Sequence, residues 1–268
     1  MLAKSLGSTE STLPEIGLGT WLYKGDKNVI HKALELGSNF LDTAEMYNTE
    51  SFVGDAVKNK RQSYFIATKV SPQNLRHQDL IAAADRSLRR LKTDYIDLYQ
   101  VHWANPDIPI EESMGAMKDL VIDGKVRYVG VSNFSVQQTE TARLALGSVP
   151  LVSNQVLYSL FDREIEDELI PYCSANQITV ISYSPLAQGK IDPMLKRSPH
   201  LREIIDRICS EVHKTRAQVL LNWCTYLPCV VTIPQTNRVE RVDENCGASG
   251  WRLTESQYEA LNQASSSS

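Results

Sequence analysis

Asn39-Phe40-Leu41-Asp42-Thr43-Ala44-Glu45-Met46-Tyr47 sets an aspartate at the end of a short apolar run and a tyrosine five residues further on. An acid and a phenol are presented together where a strand gives way to a loop. The arrangement recurs downstream: Phe65-Ile66-Ala67-Thr68 delivers Lys69, and Ile96-Asp97-Leu98-Tyr99-Gln100-Val101 delivers His102. Four proton-handling groups at three strand ends predict a single site.

Working outward, short apolar runs alternate with longer amphipathic ones, the pattern of parallel strands joined by crossover helices. Strands are predicted at Glu15–Leu18, Asn39–Leu41, Tyr64–Thr68, Ile96–Val101, Tyr128–Val131, Leu151–Gln155, Thr179–Ser182 and Cys229–Ile233. In Gln78–Leu91, apolar residues recur at three- and four-residue intervals, with Asp79 and Lys92 at the ends that suit a helix dipole. Glu111–Ile122 stops at Asp123-Gly124, and Leu201–Tyr226 is predicted to break near Lys214-Thr215 into two helices. Asn237–Cys246 and Thr254–Asn262 close the chain. Eight strands with helical crossovers fit a single (β/α)8 TIM barrel with additional helices toward the C-terminus, one domain over residues 1–268, with 265–268 a flexible tail. Asp42, Lys69 and His102 then lie on the face formed by the strand C-termini, where such barrels carry their sites.

The net charge of −4 and the lack of a basic block argue against a dedicated nucleic-acid partner. No apolar run approaches the roughly 18 residues of a membrane span. Five cysteines without a C-x-x-C pair, and no signal peptide, fit a reducing, cytoplasmic setting. A small soluble substrate is expected, with the chain as a monomer.

A free tyrosine, with a pKa of about 10, is a poor acid near neutrality. A nearby lysine ammonium would lower that value, and an aspartate paired to the lysine would keep the ammonium charged and aimed. Tyr47 then becomes a usable general acid, tuned by Lys69 and Asp42. His102 could orient a carbonyl oxygen and stabilise charge developing there. Taken singly, Asp42-Thr43 reads as a helix start, Tyr47 as packing and Lys69 as a solvated strand end. Their joint placement at successive strand ends favours chemistry.

The chain resembles the aldo-keto reductase superfamily, in particular its compact microbial members. The resemblance rests on Gly17-Leu18-Gly19-Thr20-Trp21, the Asp42-to-Tyr47 motif, Lys69, His102-Trp103, Gly130-Val131-Ser132-Asn133-Phe134 and Ile233-Pro234-Gln235-Thr236. It implies a (β/α)8 barrel holding an extended nicotinamide cofactor without a Rossmann domain. It also implies hydride transfer to an aldehyde or ketone, Tyr47 as proton donor, Lys69 and Asp42 as its tuning pair, and His102 as carbonyl orienter. Run in reverse, the same site would oxidise an alcohol with Tyr47 as base.

The later strand ends supply cofactor candidates. Ser132, Asn133 and Gln155 can pair with a carboxamide, and by resemblance they hold the nicotinamide amide. The resemblance also implies Tyr183 stacking on the nicotinamide ring, Ser184, Leu186 and Gln188 along the pyrophosphate, and contacts from Thr20, Trp21 and Asp42. Members favouring NADP carry a lysine and a serine after Ile-Pro; here those positions are Gln235 and Thr236, with Asn237 following, Arg241 in place and Asn245 toward adenine. Losing one charge-assisted contact would weaken NADP preference by ~1–2 kcal/mol. NADP(H) is still expected, with room for appreciable NAD(H) use.

Trp21, Tyr47, His102 and Trp103 would surround a small-molecule carbonyl substrate in an aromatic pocket. Two alternatives share these residues: a Schiff-base lyase using Lys69, and a cofactor-binding regulatory protein with little turnover. The five histidines show no close metal-ligand spacing, so no metal is expected.

Overall fold

The protein is described by a computed structural model covering residues 1–266, the last by its backbone alone. A two-stranded antiparallel hairpin, β1 (Ala3–Ser5) and β2 (Thr12–Pro14), precedes eight parallel strands. These are β3 (Leu18–Gly19), β4 (Phe40–Asp42), β5 (Phe65–Val70), β6 (Ile96–Val101), β7 (Val126–Ser132), β8 (Leu151–Leu157), β9 (Thr179–Tyr183) and β10 (Val230–Thr232). Each neighbours the next in sequence. The ring closes where Ile16 bridges Thr232 and Gly19 bridges Gln235, with Gly17 N donating to Thr232 O at 2.8 Å. All eight predicted strands are present, their ends displaced by up to three residues. In the first, Ile16 forms only an isolated bridge, and at Gly17 the chain runs tight against β4: a Cβ there would lie 2.7 Å from the Phe40 ring.

Helices α1 (Lys27–Glu35), α2 (Glu50–Val57), α3 (His77–Leu91), α4 (Ile110–Ile122), α5 (Val136–Leu146), α6 (Leu169–Ala175), α7 (Ile191–Arg197), α8 (Pro199–Val212), α9 (Arg216–Cys224), α10 (Val239–Cys246) and α11 (Glu255–Ser266) surround the sheet. The stripe read in α3 is the face it buries: Leu80, Ala83, Ala84, Ser87, Leu88 and Leu91. Each fully buried leucine contributes about 1.5–3 kcal/mol. The break between α8 and α9 arises from left-handed His213 (φ 53°) and a capping box in which Thr215 Oγ1 accepts from Gln218 N. Ser265, expected in a flexible tail, is instead helical, and its hydroxyl accepts from Arg163 Nη1 at 2.7 Å; residues 267 and 268 of that expected tail lie outside the described residues.

The hairpin carries no periodic signal, since each strand has three residues. It seals the N-terminal end of the barrel. Leu6 and Leu13 pack on Phe40, Ala67, Leu98, Val152, Ile181 and Val231, which come from six different strands. Lys4 Nζ ties the hairpin to the approach to β10, donating to Leu227 O and Val230 O at 2.7 Å each. No helix among the described residues is long and apolar enough to cross a membrane.

Candidate active site

Strand side chains alternate between faces, so inward residues recur every second position. Phe40, Ala67 and Leu98 belong to the apolar floor; two residues further along each strand come Asp42, Lys69 and Gln100, all buried. The polar layer thus sits on the apolar one by strand parity alone. Pairing of Asp42 with Ala67 and of Lys69 with Gln100 fixes their relative heights. Tyr47 follows β4 on a single 3₁₀ turn, Glu45–Tyr47, which ends at left-handed Asn48 (φ 58°). A buried hydroxyl cluster braces this turn: Thr49 Oγ1 lies 2.9 Å from Thr20 Oγ1 and 2.8 Å from Thr43 Oγ1.

Lys69 Nζ donates to Asp42 Oδ1 at 2.7 Å, Asp42 Oδ2 at 2.9 Å and Thr43 O at 2.9 Å, and reaches Tyr47 Oη at 3.5 Å. Tyr47 Oη stands 3.5 Å from His102 Nε2. Burial lowers the pKa of Lys69, against the raising effect of Asp42. His102 falls to about 3 through burial and the charge of Lys69, so its imidazole is neutral in the working range. Tyr47 is raised by burial and then by Asp42. This reverses the expected lowering by Lys69: the ammonium directs its shortest contacts to Asp42 and Thr43, leaving the phenol to burial and to the carboxylate. Glu45 is raised by burial but brought below its ordinary value overall by hydrogen bonds from Ser71, Asn74 and Arg86.

A cavity of about 540 Å³ opens above these groups, lined by Trp21, Asp42, Tyr47, His102, Trp103, Ser132, Asn133, Gln155, Tyr183, Ser184, Leu186, Gln188 and Gln235 among the expected residues. Several are already cross-linked. Gln155 Nε2 donates to Asp42 Oδ2 at 2.7 Å, Ser132 Oγ to Gln155 O at 2.8 Å, and Tyr183 Oη to Asn133 Oδ1 at 2.9 Å. The segment after β9 curls tightly, with positive φ at Ser184, Ala187, Gln188 and Gly189. Thr20 is buried, its hydroxyl donates to Asp42 O at 2.9 Å, and it does not line the cavity. Thr236, Asn237, Arg241 and Asn245 also lie outside the lining. Thr236 Oγ1 accepts from Arg238 N at 3.1 Å, Asn237 Oδ1 from Lys24 N at 2.8 Å and from Gln235 Nε2 at 2.9 Å, and Arg241 pairs with Glu244. Sequence reasoning missed Leu22, Pro185 and Gly189 in the wall. Leu22, an exposed leucine at φ 56°, carries no sequence signal for that conformation. A second cavity of about 520 Å³, between Leu160–Asp167, α7 and the end of α11, holds none of the expected residues.

The model of the Aldo/keto reductase family matches residues 15–266. The chain belongs to this family. Among similar aldo-keto reductases and their relatives, the methylglyoxal reductase YeaE of Escherichia coli is 35% identical, covering 96% of this chain and 93% of its own length. The solved structure of a thermostable aldo-keto reductase with the inhibitor epalrestat superposes with a TM-score of 0.90 at 36% identity, covering 98% of this chain and all of that one. An aldo/keto reductase from Klebsiella pneumoniae, solved with NADP and acetate, gives a TM-score of 0.86 at 33% identity over 97% of this chain and 94% of that one.

Proposed function

We propose that this chain reduces aldehydes and ketones with NADP(H), Tyr47 supplying the proton to the carbonyl oxygen. The observation that carries this reading is the position of Tyr47 Oη, 3.5 Å from both Lys69 Nζ and His102 Nε2 at the floor of the cavity. The residues present suit a dinucleotide: polar side chains at Ser132, Asn133 and Gln155, an aromatic face at Tyr183, and a run of left-handed residues at Ala187–Gly189, a backbone form that can bind anions. NADP(H) also accords with the bound ligand of the Klebsiella relative, while Gln235 leaves room for NAD(H). The chain acts as a single-domain cytoplasmic monomer on a small carbonyl, and the name of the Escherichia coli relative makes methylglyoxal the first compound to assay.

When bound, the nicotinamide supplies the hydride to the carbonyl carbon. Burial and Asp42 keep the Tyr47 phenol protonated and make it a weaker acid than free tyrosine, so its proton leaves only as negative charge builds on the carbonyl oxygen. His102, being neutral, can hold the carbonyl oxygen by a hydrogen bond from Nε2. When Tyr47 gives up its proton, the phenolate left behind faces the Lys69 ammonium, also 4.8 Å from the ring centroid. Alcohol oxidation needs that phenolate beforehand and is therefore favoured by alkaline pH. Lys69 is fully buried, bonded to both Asp42 oxygens and outside the cavity lining, which counts against its attack on a bound carbonyl as a Schiff-base nucleophile.

Tyr47→Phe tests the reading. Removal of a general acid costs about 10²–10⁴-fold in turnover, so NADPH oxidation with methylglyoxal should fall by at least ~100-fold while NADPH affinity stays within about twofold. Retained turnover would remove Tyr47 as the donor. An absence of turnover in the wild type across a broad carbonyl panel, with intact NADPH binding, would favour the regulatory alternative.

A further inference from the structure

The turns that follow β4, β5 and β6 are joined by polar contacts that the reaction chemistry does not use. Glu45, two residues before Tyr47, reaches across to the turn that follows Lys69. Its Oε2 accepts from the backbone amide of Ser71, two residues past Lys69, at 3.1 Å. Both carboxylate oxygens accept from Asn74 Nδ2 at 3.1 Å, and Arg86 Nη2 from α3 approaches Oε1 at 3.4 Å. The chain continues to the third turn, where Asn105, three residues past His102, donates from Nδ2 to Pro72 O at 3.0 Å. Glu45 is largely buried, its side chain 14% exposed, so these bonds form where water competes poorly.

We infer that Glu45 is a positioning residue: it clamps the Tyr47 turn to the turn after Lys69, and through Pro72 and Asn105 to the strand end that carries His102. The inference rests on the reductase reading above. The phenol stands on one 3₁₀ turn outside the sheet, so strand register, which fixes Asp42 and Lys69, does not fix Tyr47. Its contacts to Lys69 and His102 are both 3.5 Å, and a displacement of about 1 Å at a reacting group can cost ~10²-fold in rate. The carboxylate supplies the missing link from the turn to its neighbour. Neither Glu45 nor Asn105 lines the cavity, so loss of either should alter turnover without altering the cofactor surface.

Glu45→Ala and Glu45→Gln, assayed for kcat, KM and NADPH affinity, provide the test. The alanine variant should lose about ten- to a hundredfold in kcat, with NADPH Kd within about twofold of wild type. The glutamine variant keeps one acceptor for the Ser71 amide and should recover most of that loss. Adding Asn74→Ala to Glu45→Ala should change kcat less than twofold further, because their shared bond is already gone. Amide hydrogen exchange gives a readout independent of turnover: residues 44–49 and 71–75 should exchange at least about tenfold faster in Glu45→Ala, with the rest of the barrel unchanged. An alanine variant with wild-type kcat and exchange overturns the inference, as does a loss that glutamine does not recover and that tracks NADPH affinity. A wild type without carbonyl reduction would defeat the reductase reading alone, and the exchange measurement would then decide the clamp.

Discussion

At His102 the interior decides the protonation state. Burial and the nearby Lys69 charge lower the imidazole from an ordinary 6.5 to about 3, so between those values an unfolded chain carries a proton that the folded one refuses. Stability from this group is therefore complete above pH 6.5 and declines as pH falls toward 3. The same neutrality predicts that kcat/KM for reduction shows no inflection near pH 6.5. A pH–rate profile with a step there, abolished in His102→Gln, would mean that an imidazolium takes part. None of this was legible in the sequence, which places these groups at strand ends but does not show how Lys69 distributes its protons. Two hydrogen bonds to Asp42 and one to Thr43 leave Tyr47 governed by burial, opposite to the lowering expected from a nearby ammonium.

Single elements were readable where their pattern is long and their ends are signalled. α3 buries the stripe its spacing predicts, and Gly124 (φ 71°) follows α4 at the stop read from Asp123-Gly124. The α8–α9 junction has both signals, a left-handed residue and a cap, and this makes a quantitative expectation. Thr215→Ala removes the hydroxyl that accepts from Gln218 N at 3.3 Å and should lower stability by about 1 kcal/mol in urea unfolding, with the m-value unchanged. A change below about 0.3 kcal/mol would mean that packing of α9 alone holds its start. The hairpin was illegible for the opposite reason: three residues per strand cannot display alternation. The setting of Thr20 was not legible because a short motif cannot tell which way a side chain turns. It lies between two cavity-lining residues, Gly19 and Trp21, while its own hydroxyl points to Asp42 O.

Across the whole molecule, the barrel separates two tasks along its axis. One end is an apolar plug of Leu6 and Leu13 against residues from six strands; the other is the polar layer of Asp42, Lys69 and Gln100 beneath the cavity. Leu6 and Leu13 lie outside the eight-stranded ring, whose own strand pairing holds Asp42, Lys69 and Gln100 in register. Damage to the plug should therefore register as lost stability with little change in chemistry. Leu13→Ala, at a fully buried position, should cost about 2–5 kcal/mol of unfolding free energy while leaving kcat within about twofold at a temperature where circular dichroism shows the variant folded. Glu45→Ala should show the reverse, a large loss in kcat for a small loss in stability. Measuring the urea midpoint and kcat for both variants on one preparation tests the separation. If Leu13→Ala lowers kcat in proportion to its loss of stability, the plug and the proton relay are mechanically coupled, and the layers of the barrel do not act independently.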